Sequence, residues 1–226
     1  MITETLRAAV IITAAGSSNR MGIGTKKEFL SFNNQPVLLL SIKPFIDSNL
    51  FSNYVITLPQ EEIGKGHNIL TPLKEESEFI YVPGGSTRQE SVYNGLLALK
   101  NKSPDIVLIH DGARPWINKT VIEAVYKMTI KNGAAIPVVP SVNAMKTINS
   151  SGIIVSNLIR ENTVAAQTPQ GFNYTDILKS HESAHLDNTM YIDDAEIYGK
   201  YIGNVATVPG DTANNKITYL SDMASS

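Results

Sequence analysis

The sequence predicts a doubly wound α/β sheet, on three observations. Short apolar, β-branched runs recur along the chain, capped helical stretches separate them, and the first run empties into a loop of small and basic residues. The runs are AAVIIT (Ala8 to Thr13), YVITLP (Tyr54 to Pro59), FIYV (Phe79 to Val82), DIVLIH (Asp105 to His110) and AAIPVV (Ala134 to Val139). Near-continuous apolar runs of this length suit parallel strands buried on both faces.

The helical stretches follow in turn. PVLLLSIKPFIDS (Pro36 to Ser48) places Pro36 at a first helical turn, where its missing N–H costs nothing. TRQESVYNGLLALK (Thr87 to Lys100) opens with Thr87 and Glu90 in capping-box spacing and sets Val92, Leu96 and Leu99 along one side. NKTVIEAVYKMTIKNG (Asn118 to Gly133) stops at a glycine suited to a left-handed C-cap. After Pro140 the rhythm breaks. MKTI, a turn over Asn149, Ser150, Ser151 and Gly152, and IIVSNLI form a hairpin signature, a projecting β-arm at about 141–160. Its exposed apolar residues predict a cover from a second subunit. With no internal repeat and no Pro/Gly linker, residues 1–226 are expected to be one domain carrying that arm.

Composition narrows the function. The 226 residues are 42% hydrophobic and 18% charged, with formal net charge −2. That balance supplies no long-range pull on nucleic acid or acidic lipid, so a basic site must be a local device. The absence of cysteine excludes disulfides, thiol catalysis and thiolate-bound metals. The first strand begins without a basic-then-apolar leader, and no apolar run is long enough to span a bilayer. A cytoplasmic protein without membrane partners is the expectation.

Three strand ends carry chemistry. AAGSSNRMGIGTKKEFL (Ala14 to Leu30) has small residues at the carboxyl edge of the first strand, where open sheets bind ligands. Backbone N–H groups there can face phosphate oxygens, and Arg20 with Lys26 or Lys27 adds full positive charge. The dinucleotide fingerprint does not fit, because Ala14 and Ala15 precede a single Gly16 and Ser18 stands where a second glycine belongs. The P-loop pattern is also missing, and an ordinary solvated loop is the bland alternative. PGGSTRQES (Pro83 to Ser91) offers close backbone approach to a flat ligand at Gly84 and Gly85, with hydroxyls at Ser86 and Ser91. A plain capped turn is the rival there. DGARP (Asp111 to Pro115) sets a carboxylate and a guanidinium around small residues, against the simpler reading of a local Asp111–Arg114 pair. His110 reads as packing or a structural hydrogen bond. The inventory suits a nucleoside triphosphate and a second substrate.

With AAG…RMG…KKEFL, GGSTRQESV, HDGARP, RENTVAAQTPQGF, DDA and NNKIT in order, the chain resembles the 2-C-methyl-D-erythritol 4-phosphate cytidylyltransferases of the non-mevalonate isoprenoid pathway. The resemblance implies a Rossmann-like nucleotidyltransferase sheet, Mg²⁺ as cofactor, CTP and a polyol phosphate as substrates, and a homodimer joined by the arm. It places Ala14, Ala15, Gly16, Arg20 and Lys27 around the triphosphate, and Gly84, Gly85, Ser86 and Ser91 at the cytosine. Asp111, Gly112 and Arg114 fall beside the ribose, metal and acceptor, with Asp111 the one candidate metal neighbour. Arg160 and Thr168, from the partner's arm region, grip the acceptor phosphate, and Lys216 completes the site from the last strand. Arg20, Lys27, Arg160 and Lys216 are the expected catalytic cations. The chain departs from the family pattern at Thr13, Ser18, Asn143, Ala144 and Ile192. A different acceptor, such as ribitol 5-phosphate, is therefore the first alternative, and a non-catalytic CTP-binding regulator the second.

Overall fold

The computed structural model describes residues 6–16, 26–73 and 78–223. Its strands are β1 (Ala8–Thr13), β2 (Ser31–Phe32), β3 (Gln35–Pro36), β4 (Asn53–Leu58), β5 (Phe79–Pro83), β6 (Ile106–Asp111), β7 (Ala134–Pro140), β8 (Lys146–Ile148), β9 (Ile154–Asn157), β10 (Val164–Ala166), β11 (Gln170–Asn173) and β12 (Ala206–Pro209). Its helices are α1 (Val37–Ser48), α2 (Ile63–Leu70), α3 (Arg88–Ala98), α4 (Lys119–Asn132), α5 (Tyr174–Leu186) and α6 (Asp194–Tyr201).

Four parallel strands lie in the order β5-β4-β1-β6. Alternation along them divides the core between two helix layers. Val10, Ile12, Ile56 and Leu108 point into one layer with Leu38 and Ile42 of α1, Leu70 of α2 and Val125 of α4. Ala9, Ile11, Val55 and Val107 point into the other, with Val92 and Leu96 of α3, Ile177 of α5 and Tyr198 of α6. Every one of these side chains is buried, which is why the strands read as unbroken apolar runs.

The caps act as their residue types require. Pro36 precedes α1 with φ −60°, and Asn49 ends it in the left-handed region at φ 57°. Thr87 accepts a hydrogen bond from Glu90 N ahead of α3, and Asn118 accepts one from Val121 N ahead of α4. Gly133 closes α4 at φ 82°, a backbone angle most side chains resist.

The sheet is less uniformly parallel beyond β6. β11 runs antiparallel to β6 and to the start of β7, β10 runs antiparallel to the end of β7, and β12 lies parallel on the other edge of β7. The result is a central β6, flanked by β1 and β11. The arm is the β8–β9 hairpin, with a bulge near Ile148, and all of its residues are exposed. Among the described residues, no helix is long and apolar enough to cross a membrane.

Candidate active site

The carboxyl ends of β1, β4, β5 and β6 open into one cleft of about 480 Å³, the edge at which open α/β sheets take ligands. Ala15, Gly16, Lys26, Lys27 and Glu28 line one side, Gly85 to Arg88 and Ser91 another, and Asp111, Ala113 and Lys216 the floor.

Asp111 organises the floor. It ends β6, only 5% exposed, and both carboxylate oxygens are engaged. Oδ1 receives Arg88 Nε at 3.2 Å and the Thr13 hydroxyl at 3.4 Å, while Oδ2 receives Arg114 Nε at 3.3 Å and Lys216 Nζ at 2.9 Å. Burial works to raise its pKa. Lys216, Arg88 and Arg114 outweigh that and hold the carboxyl well below the usual range. The Asp111–Arg114 pair does fix the local turn, but it is buried and belongs to a larger group of charges.

Arg88 extends that group away from the cleft. Its Nη2 stands 2.8 Å from Asp194 Oδ2, and Asp194 Oδ1 meets His181 Nε2 at 3.1 Å. Asp194 is fully buried at the start of α6. Burial would lower the Arg88 pKa, but Asp194 and Asp111 raise it above its ordinary value, so the guanidinium stays charged.

His110 is structural. Burial depresses its pKa to about 3. Its Nε2 faces the Arg114 carbonyl at 3.2 Å and so carries the proton, leaving Nδ1 to accept from the Thr168 hydroxyl at 2.9 Å. The same hydroxyl accepts from Asp111 N at 3.1 Å. Thr168 is 5% exposed and its one hydroxyl proton is committed to His110. In this chain it braces Asp111 from beneath.

The glycine turns are tightly built. A Cβ on Gly84 would stand 2.2 Å from Ala15 Cβ, so the loops after β1 and β5 touch only because the position is bare. Gly85 N donates to Ser91 Oγ at 3.1 Å, and that hydroxyl donates to Thr87 O at 2.8 Å. Ser86 gives its N–H and its hydroxyl to Glu90 Oε2, at 2.6 and 2.7 Å. Both serines thus shape the turn, with the capping carboxylate of Glu90 reaching Ser86 one residue ahead of the cap. Gly112 donates to Thr13 O at 2.9 Å, and Ala14 N to Thr57 O at 2.9 Å, fixing where the neighbouring loops leave the sheet.

Of the two adjacent lysines, Lys26 spends its ammonium on Gly16 O at 2.6 Å, whereas Lys27 is buried in the cleft wall. Arg20 and Ser18 lie outside the described residues. Lys216 does reach the floor, but from an irregular segment after β12 and not from a strand. Arg160 is exposed on a short turn after the arm, bonded to Val142 O at 3.1 Å, and does not line this chain's cleft.

Three participants were not marked in the sequence. Arg88 and Asp194 sat inside quoted motifs, and only the fold brings them together. Glu28 is 2% exposed beside Lys27. Burial raises its pKa against the pull of Lys27, Lys26 and Lys216.

A parallel-centred sheet with a cationic cleft at its carboxyl ends defines an α/β protein of the nucleotidyltransferase type. The family model described as 2-C-methyl-D-erythritol 4-phosphate cytidylyltransferase matches residues 8–226. The chain belongs to that family. A Clostridium novyi protein of that name is 37% identical over 214 residues, covering 94% of this chain and 92% of the relative. One from Clostridium botulinum (strain Eklund 17B / Type B) is 35% identical over 216 residues, covering 95% of each. The crystal structure of 4-diphosphocytidyl-2C-methyl-D-erythritol synthase from Anaerococcus prevotii superimposes with TM-score 0.86 at 25% identity, covering 97% of this chain and 94% of that one.

Proposed function

We propose that this protein transfers CMP from CTP to 2-C-methyl-D-erythritol 4-phosphate, releasing pyrophosphate. Family membership names the reaction. The observation that carries the site assignment is the set of cations around Asp111 at the sheet edge, with Lys27 in the facing wall.

A phosphate oxygen of the acceptor attacks the α-phosphorus of CTP. The new P–O bond forms as the bond to the β-phosphate bridging oxygen breaks, and that oxygen leaves with both electrons as pyrophosphate. The acceptor phosphate is already ionised near neutral pH, so no general base is needed. The barrier is the meeting of two anions, and fixed positive charge lowers it. Lys27 and Lys216 supply that charge, joined by Arg20, which follows β1 in the sequence. Gly84 and Gly85 receive the cytosine edge on a turn held by Ser86 and Ser91, and Ala15 and Gly16, held in place by the Ala14 N–H bond to Thr57, offer backbone N–H groups to the phosphates.

The residues present fit a Mg²⁺ ion carried on the triphosphate. Both Asp111 oxygens are engaged, and among the described residues no three His, Asp or Glu side chains form a cage. Magnesium gives up its waters reluctantly, so phosphate oxygens and water would hold it, with Asp111 as an outer neighbour. Bound there, it would offset polyphosphate charge.

The assembly follows from the arm. Ile148, Ile153, Ile154 and Val155 are each 58 to 63% exposed on one short hairpin, an apolar surface that a second copy would cover. We take residues 1–226 as one domain with this arm as its dimer contact, bringing Arg160 of a second copy to the acceptor phosphate. Pyrophosphate release with CTP and Mg²⁺, measured in parallel with methylerythritol phosphate and ribitol 5-phosphate, tests the function. Turnover with the first acceptor is expected. Turnover confined to the second would reassign the substrate, and CTP binding without turnover would make the protein a regulator.

A further inference from the structure

The segment that delivers Lys216 has no regular secondary structure, yet it is closely fixed. Asn214 is fully buried. Its Nδ2 donates to the Thr168 carbonyl at 2.9 Å, and its own backbone carbonyl accepts from Arg114 Nη1 at 2.8 Å. Three residues on, Ile217 N donates to Ala113 O at 2.9 Å, and its side chain is fully buried beside Val37. Between these two anchors stands Lys216, with Nζ on Asp111 Oδ2 at 2.9 Å.

Asn214 also bonds Gln167 and Asp211, its backbone O accepting from Gln167 Nε2 at 3.4 Å and its N donating to Asp211 O at 2.9 Å, but two of its partners, Thr168 and Arg114, themselves touch Asp111. Thr168, whose carbonyl Asn214 holds, uses its hydroxyl on Asp111 N. Arg114, which grips the Asn214 carbonyl, uses Nε on Asp111 Oδ2. The main chain of Lys216 and its ammonium are thereby referenced to the same carboxylate from two sides. A buried carboxamide is costly unless it is bonded, and here one bond reads a backbone carbonyl that an Asp at this position could not satisfy.

We propose that Asn214 is a positioning residue for the transfer reaction, acting through Lys216 by clasping the terminal segment to Thr168 and Arg114. The proposal rests on the cytidylyltransferase reading and adds to it the residue that sets the Lys216 geometry.

The test is a double-mutant cycle of Asn214→Asp and Lys216→Ala, read by pyrophosphate release, together with lysine acylation followed by mass spectrometry. Asn214→Asp should lower kcat by roughly 10- to 100-fold, the range for a misplaced charge stabiliser, with KM for CTP within threefold. On the Lys216→Ala background it should have no further effect on kcat. Acylation of Lys216 should rise several-fold in Asn214→Asp while that of the buried Lys27 stays unchanged, since general unfolding would raise both. Asn214→Ala, which leaves no repulsion, is the second variant if the first is not recovered folded. Multiplicative losses in the cycle, or unchanged Lys216 acylation, would overturn the proposal. The acylation arm needs no turnover, so it decides the clasp even if wild-type protein fails to use CTP.

Discussion

Lys216 and Asp111 form a 2.9 Å ion pair at the floor of the cleft, the lysine side chain 35% exposed and the aspartate side chain 7%. The carboxylate is fixed by four groups, whereas the ammonium keeps an open side toward the cleft. Lys216 is therefore the member of the pair free to face an incoming phosphate. Replacing it with Ala should lower turnover about 100-fold, with a smaller change in KM for CTP, as loss of a preorganised charge does. Lys27→Ala should do the same. Steady-state pyrophosphate release checks both, and near-normal kcat in either variant removes that lysine from the reaction.

Asp111→Asn should be severe for a different reason. It leaves Arg88, Arg114 and Lys216 clustered without their shared counter-charge, and breaking a buried charge set in this way costs about 3–5 kcal/mol. Urea unfolding at neutral pH should show it. The sign with pH follows from a folded-state pKa held below the usual 3.8. Between that folded value and 3.8, the unfolded chain binds more protons. The stabilisation is therefore complete above about pH 4–5 and lost as pH falls through the folded value. The Asn variant should lack this acid-side loss.

His110 makes its own acid-side contribution. Its folded pKa of about 3 lies below the ordinary 6.5, so the unfolded chain takes up a proton first as pH falls. Stability from this group is intact above 6.5 and declines steadily toward pH 3. NMR of the imidazole should show no titration between pH 5 and 8, with the proton on Nε2. A midpoint near 6.5 would mean that the ring is solvated.

Thr168→Val keeps the volume and removes the hydroxyl between His110 Nδ1 and Asp111 N. Two buried groups lose their partner, at about 1–3 kcal/mol each. Denaturant unfolding should register the loss, and Thr168→Ser should recover most of it. Equal stability of the Val variant would show that water or a shifted backbone replaces the hydroxyl.

The apolar arm gives a prediction about assembly. Ile148→Asp and Ile154→Asp together should convert a sedimenting dimer to a monomer while leaving the far-UV circular dichroism unchanged. They should also abolish turnover if Arg160 acts from a second copy. A monomeric wild type at micromolar concentration would refute the arm contact.

Much of the fold was legible because burial on both faces writes itself into local composition. AAVIIT and DIVLIH are apolar at nearly every position, and the observed strands match them within a residue. β10 and β11 were not legible. QGFN is four residues long, with a Gln and an Asn, and it becomes a strand only through pairing with β6 and β7. The site divides in the same way. Gly84, Asp111 and Lys216 carry signals of residue type or motif, and the fold places them together. Arg88 carries no local signal of its role, because its partner Asp194 lies more than a hundred residues along the chain. The bonds of Thr168 to His110 Nδ1 and to Asp111 N were not legible, because both partners lie more than fifty residues earlier in the chain.

The Gly84–Ala15 contact has a consequence for selectivity. Lysines and arginines outnumber carboxylates in the cleft, and such a surplus welcomes any compact polyanion, whether ATP, CTP or free pyrophosphate. On the proposed function, discrimination among nucleotides falls to the uncharged side, where the bare Gly84 packs against the Ala15 methyl group. A methyl group at Gly84 would push those loops apart, and on the proposed function it should weaken selection of the base more than the hold on the phosphate chain.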